Sequence, residues 1–432
     1  MNQEHFFQLA ASDINCNTSY PLRRKFFARY RTDTDIMENT EALSLYYHIP
    51  FCKHLCRFCE YTRFLCGDIS QQNDYIDKLI AQSEKFFGSH NIKKLYGLDI
   101  GGGTPTSLEL PVLNRLLDYH TEIRGKYDLS EGFEPSIEFS FSAIDDDKIR
   151  CIAEHNIPRM STGIQVFDDG LLSKMERLPQ ALSYMERMTG SIRNAGIKKL
   201  NIDLMYGFPD QTDLMLSNSL YAVKVLEPEQ VTLYELRYNR NGLDSVSVDR
   251  NVLFRQYEFL YNGLTDLGYK GRFGQNTFSK FDDEGVSSYL YSRMFLGRPY
   301  KGFGVSAQSM SDKGISYNIL KSDNSRYMPD FDEISEEYSY LLPKDEIAAK
   351  YICISLYSGR FSLSVLEKIL CSDPMSYYHN EFDFLLEHRY VEISNGICTL
   401  TKEGFKLYGA VAALFWSPYH REQYIKMKEG KK

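Results

Sequence analysis

Three cysteines, Cys52, Cys56 and Cys59, fall within eight residues in the spacing C-x3-C-x2-C. They follow the apolar run LSLYYHI and the Pro50 that ends it, which places them in a loop at the end of a strand. Thiolates are soft ligands, and three on one short loop can meet at a metal or a compact cluster. Two chemistries fit. Structural zinc wants a closed set of four ligands, for which His48, His54 and Cys66 are the nearby candidates. An iron–sulfur cubane held by three thiolates instead leaves one iron open to a small ligand. Cysteines buried only for packing are the plain alternative, and the neighbours Lys53, His54 and Arg57 argue against it.

The rest of the chain has the composition of a cytoplasmic globular protein. It has 432 residues, 43% hydrophobic and 25% charged, which excludes a disordered or collagenous chain and suits two to three domains. A net charge of −8 argues against nucleic-acid or anionic-membrane partners. Nine cysteines, an odd number, and a start, MNQEHFFQLAASDIN, without a basic and apolar leader point to a reducing compartment. No run approaches the roughly 20 apolar residues of a spanning helix.

The elements that must position the cysteines form a rhythm. β-rich runs at Leu43–Ile49, Leu95–Ile100, Ser136–Phe141, Arg159–Ile164, Leu200–Tyr206 and Gln230–Leu236 alternate with helical stretches. The helices expected are Gln71–Phe87, Pro111–Lys126, Asp145–His155, Ala181–Ala195 and Asp213–Leu226. Such alternation means βα units on a parallel sheet, and six units predict an open, partial (β/α)6 barrel within residues 43–310. An N-terminal arm, 1–42, precedes it, and the polar, acidic stretch 311–344 reads as a connector. Residues 345–432 offer helices at Asp345–Tyr357, Ser362–Leu370 and Asn380–His388, then a hairpin around Asn395-Gly396. That is a winged-helix-like α+β pattern. Without a basic stripe it reads as a packing or lid module rather than a DNA-binding one.

In parallel barrels chemistry gathers at the carboxyl ends of the strands. Glycines at 101–103 follow the second run and let a ligand approach the backbone. Glu138 alternates with apolar Ile137 and Phe139, which turns it to the opposite side from them, the lumen in a barrel. Asp203, among apolar residues in LNIDLMYG, is costly unless paired, as with a neighbouring arginine, or bound to a ligand.

The string LSLYYHIPFCKHLCRFC resembles the start of radical S-adenosylmethionine (SAM) enzymes, in particular the oxygen-independent coproporphyrinogen III dehydrogenase (HemN-like) group. The resemblance continues through GGGTPTSL at 101–108, IEFSF at 137–141, STGIQVFD at 161–168, ER at 176–177, NIDLMYGFPDQT at 201–212 and GFGVSAQS at 302–309. NTSYP at 17–21 and the winged-helix tail match as well. It implies a [4Fe–4S] cluster on Cys52, Cys56 and Cys59, with SAM on the open iron. It further implies reductive cleavage of SAM to a 5′-deoxyadenosyl radical, with an electron donor such as flavodoxin or ferredoxin. The SAM amino group is then expected at Gly102, Gly103 and Thr104, its carboxylate at Arg177 with Gln165, its ribose at Glu138 and Asp203, and Tyr46 close by. Core packing is an equally good reading of Tyr46.

Two departures touch the expected substrate side. Where the coproporphyrinogen group has a further cysteine this chain has Tyr61, and its His-Phe-Ala-Arg-Pro run is replaced by RFGQNTF at 272–278. GFGVSAQS is nearer the dehydrogenase version than the Gly-Ala-Gly-Ala-His-Ser run of the haem-chaperone branch. Ser306, Ala307 and Gln308 are candidates for a second SAM, so one or two SAM molecules are expected. Three activities follow: oxidative decarboxylation of a tetrapyrrole-like or other large organic substrate, two-SAM methyl or methylene transfer, and haem chaperoning.

Overall fold

The computed structural model describes residues 6, 9, 20–21, 24–236, 248–318, 326–329, 334 and 336–428. NTSYP at 17–21 is therefore described only at Tyr20 and Pro21, and much of the arm and connector lies outside the described residues.

Six parallel strands lie side by side in chain order: β1 (Ala42–Ile49), β2 (Lys94–Gly102), β3 (Ser136–Phe139), β4 (Arg159–Gln165), β5 (Lys199–Tyr206) and β6 (Gln230–Glu235). Helices α1 (Ile69–Ser89), α2 (Leu110–Lys126), α3 (Asp146–Glu154), α4 (Asp169–Lys174), α5 (Leu182–Asn194) and α6 (Asp213–Leu226) fill the crossovers. Leu43, Leu45, Tyr47 and Ile49 on β1 point outward into the core beneath these helices. Period-2 alternation then sends Ser44, Tyr46 and His48 inward.

The sheet continues beyond the six units without closing. After α7 (Arg250–Asp266), strand β7 (Thr277–Ser279) pairs antiparallel with β6. Beyond helix α8 (Ser288–Met294), strand β8 (Tyr300–Phe303) runs parallel beside β1. Strands β9 (Gln308–Met310), β10 (Gly314–Asn318) and β11 (Glu336–Leu341) then extend the sheet antiparallel from β8. The segment 311–344, read from its polarity as a connector, thus carries two strands of the main sheet. Their alternation of Tyr317, Tyr338 and Tyr340 with polar residues hides them among the acidic neighbours. Arg31 and Thr32, from the arm, pair with β11.

The last part follows the expected order. Helix α9 (Lys344–Leu356), α10 (Leu363–Leu370) and α11 (His379–Glu387) precede the hairpin β13 (Val391–Ser394) and β14 (Ile397–Leu400). The short β12 (Arg360–Ser362) adds a third strand against β14. Asn395 and Gly396 take φ of 51° and 73°, the left-handed pair that a tight hairpin turn requires. A second core joins this part to the chain's beginning: Tyr20 and Phe27 pack with Trp416 and His420. Among the described residues no helix is long and apolar enough to cross a membrane.

Candidate active site

The strand register stacks polar side chains inside the half-barrel. Tyr46 lies level with Asp99, Asp99 with Ser136, and Ser136 with Arg159. One step up, Glu138 stands beside Ser161 and Ser161 beside Asn201, while Gly163 faces Asp203 and Asp203 faces Thr232. All of these except Gly163's absent side chain present groups to one cavity of about 2000 Å³. The cysteine loop forms another part of its wall, so every site residue expected from the sequence lines it.

Cys52 and Cys56 are buried and Cys59 is half-buried. Burial pushes the Cys52 thiol up to about 12 and raises Cys59, outweighing the opposing effect of Arg63 and of the hydrogen bonds from Thr104 to Cys52 and from the Tyr61 backbone to Cys59. Among the described residues no three His, Cys, Asp or Glu side chains close round a single metal ion. His48 engages both ring nitrogens, with Tyr46 Oη (3.3 Å) and the Thr62 carbonyl (2.8 Å). Cys66 donates to the Ser107 carbonyl (3.4 Å) and accepts from Gln72 (3.3 Å), away from the cavity. What the cavity wall presents is three thiols on one loop with His54 between them, a donor set able to hold three corners of a cluster.

Next to the thiols the backbone is glycine for steric reasons. Gly102 has φ of 116°, and a Cβ there would lie 2.6 Å from the His48 ring; one on Gly103 would lie 2.7 Å from the Phe51 carbonyl oxygen. Thr104 Oγ1 is 3.7 Å from Cys52 Sγ, and the Thr104 N–H donates to the Phe51 carbonyl (2.7 Å). The glycine turn and the cysteine loop are thus one unit.

Arg177 reaches the same place from the segment that follows α4. Its Nη1 lies 3.4 Å from Cys56 Sγ, and Nη2 donates to the Gly163 carbonyl. That carbonyl is freed by a bulge at the end of β4, where Gln165 takes φ of 73°. Gln165 Oε1 is buried without a hydrogen-bond partner, an orphaned acceptor beside the cysteine loop.

The lumen carboxylates are held by few partners. Glu138 opens onto the cavity yet is surrounded by protein, and that enclosure pushes it up to about 8, although the Gly102 N–H donates to it at 2.9 Å. Asp203 accepts from Asn201 Nδ2 (2.7 Å), and burial raises it to about 6. Asp99, raised by burial to about 7, accepts from Ser287 Oγ (2.6 Å) through one oxygen, while the other is buried without a partner. Arg159 lies beneath them, bonded to Gln230 (2.8 Å) and Ser136 (2.9 Å) rather than to a carboxylate. Each raised carboxylate binds a proton that the unfolded chain releases nearer the ordinary value, so cluster-free protein is expected to lose stability between about pH 5 and about pH 8. Urea midpoints at these two pH values check this; Glu138→Gln should flatten the slope, and an unaltered slope would refute the assignment.

Asp99, Arg159 and Arg293 went unrecognised from sequence. The argument applied to Asp203 would have found Asp99, a carboxylate in the apolar strand LYGLDI on the same face as Gly101. Arg159 stands at a strand start, and Arg293 sits in a helix, YLYSRM, with no marker. Ser306 takes φ of 59° and its Oγ accepts from Thr62 (2.6 Å); Ala307 is buried, and Gln308 Oε1 accepts from Tyr300 Oη (2.8 Å). Tyr61, which replaces the family cysteine, is 64% exposed and lines the cavity, as do Asn276 and Thr277 of RFGQNTF. Lys350, Tyr357, Tyr424 and Met427 bring the chain's last part onto the same cavity.

Comparison with known proteins places these features in context. The Radical SAM superfamily model matches residues 46–220. A protein of Lactococcus lactis named heme chaperone HemW is 28% identical over 381 residues, 81% of this chain and 96% of that protein. A Salmonella typhimurium protein named oxygen-independent coproporphyrinogen III oxidase is 28% identical over 342 residues, 73% of this chain and 72% of that protein. The solved structure of coproporphyrinogen III oxidase (HemN) from Escherichia coli superimposes with a TM-score of 0.71 at 22% identity, covering 91% of this chain and 92% of that one. At that identity the likeness concerns the fold.

Proposed function

We propose that the chain is a radical SAM enzyme of HemN-like build, with a [4Fe–4S] cluster and SAM as its cofactors, and that it oxidises a tetrapyrrole-like or other large organic substrate, resembling oxygen-independent coproporphyrinogen III dehydrogenase. The observation that carries this reading is the union, in one cavity of about 2000 Å³, of the three-cysteine loop, the SAM-facing residues and a large remaining space. Cys52, Cys56 and Cys59 would hold the cluster. When bound together, cluster and SAM supply a one-electron cleavage of the sulfonium that yields a 5′-deoxyadenosyl radical able to abstract hydrogen from carbon.

The chain's own groups bind and orient. Arg177 offers its fork to the SAM carboxylate beside the cysteine loop, with Gln165 Oε1 as an acceptor in reach of the same molecule. The backbone at Gly102, Gly103 and Thr104 accepts from the ammonium. Glu138 and Asp203 take the ribose hydroxyls, which supply the donors that their enclosed carboxylates lack. Tyr46 stacks on Tyr289 at 5.8 Å and closes the lumen on that side. The C-terminal residues on the cavity keep water from the reacting centre.

Anaerobic incubation with SAM, a low-potential reductant and coproporphyrinogen III tests the proposal. The expected result is 5′-deoxyadenosine with loss of CO2 and no S-adenosylhomocysteine. S-adenosylhomocysteine formed alongside it would instead mean methyl transfer, with Ser306, Ala307 and Gln308 around the second SAM. A haem-chaperone reading is favoured by the span of the Lactococcus lactis match. It predicts haem retained on the purified protein and no 5′-deoxyadenosine.

A further inference from the structure

Helix α8 and strand β8 contribute no carboxylate of their own to the stretch of cavity wall they build. Gly97 on β2 allows the approach of α8, since a Cβ there would lie 2.3 Å from the Tyr289 nitrogen. Ser287 fixes the start of that helix, accepting from the Leu290 N–H (3.2 Å) while donating to Asp99. One turn on, Arg293 enters the cavity wall. Its guanidinium carbon stands 4.7 Å from the Tyr300 ring centroid, and Nη1 approaches Tyr289 Oη at 3.4 Å. Its Nε is buried with no hydrogen-bond partner, and it forms no ion pair with any described carboxylate. Asp99, whose carboxylate feels its charge, is engaged with Ser287 instead.

A second cation shares this wall. Lys350, 1% exposed, lines the cavity from α9, and Arg24 lines it from the arm. Tyr300 links the group to the Ser306–Gln308 segment through its bond to Gln308. Taking a guanidinium out of water without an anion is costly, and its planar fork matches a carboxylate with two parallel hydrogen bonds. The Tyr289 and Tyr300 rings, meeting edge to face at 5.9 Å, flank it and hold it in place.

We propose that Arg293 anchors a carboxylate of the second molecule in the cavity, either the organic substrate or a second SAM. This rests on the radical SAM reading, since it presumes that a first SAM occupies the cysteine side. The test uses anoxically reconstituted full-length protein, with Arg293→Gln and the charge-keeping Arg293→Lys compared with wild type. Equilibrium dialysis gives the SAM stoichiometry, and fluorescence titration compares coproporphyrin III with its tetramethyl ester. Iron content and thermal midpoint establish that each variant is folded and loaded.

If the substrate is the source, Arg293→Gln weakens coproporphyrin III at least tenfold, leaves the ester unaffected, and Arg293→Lys recovers part of the loss. If a second SAM is the source, stoichiometry falls from two to one while porphyrin binding stays. Unchanged stoichiometry with unchanged acid-over-ester preference overturns the assignment, as does a wild type that binds one SAM and shows no preference for the acid. Failure of the wild type to cleave SAM would strike the proposed function separately, because these readouts are binding measurements.

Discussion

Alanine at Cys52, Cys56 or Cys59 is expected to abolish the broad visible absorbance and the bound iron of anoxically reconstituted protein, and with them all 5′-deoxyadenosine. Each thiol lines the cavity beside the glycine turn, His48 is engaged at both ring nitrogens and Cys66 is turned to Ser107, so neither replaces a lost thiol. The contrast is Cys66→Ala, which should keep both iron and colour, because that thiol is spent on Ser107 and Gln72. Cys353→Ala and Cys398→Ala should do the same: Cys353 accepts from Trp416 Nε1 at 3.1 Å and Cys398 is wholly buried in the C-terminal core. Iron lost from Cys66→Ala would replace the open-iron site with a four-cysteine one. Zinc bound tightly by wild type, with no iron or sulfide on reconstitution, would end the cluster reading altogether.

The second large effect is on SAM itself. Arg177→Ala should raise the Kd for SAM by about 10- to 100-fold, the worth of one charge-assisted hydrogen-bond pair, while iron content stays at the wild-type level. The geometry makes this a stringent test, because Arg177 also touches Cys56 Sγ and the Gly163 carbonyl. A merely structural arginine would lose cluster and affinity together. Affinity unchanged with cluster intact would remove Arg177 from the carboxylate site. Asp203→Ala, which deletes a lumen carboxylate without disturbing the cysteine loop, should weaken SAM in the same direction.

Much of this was legible in the sequence because the signals were redundant. The six barrel strands were short β-branched or apolar runs and five of them were followed by a helix of the right period, so β1 to β6 and five crossover helices could be placed within a few residues, whereas the six-residue α4 was missed. The cysteine spacing, the glycine turn and the carboxylates on strands lay in that same frame. What escaped had a single weak cue or none. Strands β10 and β11 alternate tyrosines with polar residues inside a stretch that is acidic overall, and β12 is three residues long. Helical Tyr408–Leu414 is buried on every side, which erases the amphipathic period. Arg293 acquires meaning only when α8 folds against β2, a contact between residues 97 and 289 that no local pattern records.

The cavity takes its boundary from Tyr20 and Arg24 near one end of the numbering and from Tyr424 and Met427 near the other. During synthesis the cysteine loop therefore emerges some 365 residues before the last of that boundary exists. Until then the wall that Tyr424 and Met427 contribute is missing from the chamber. Trimming the chain ahead of Tyr424 should leave the three thiols in place but the chamber breached, trading a sheltered reaction for one quenched by solvent and air.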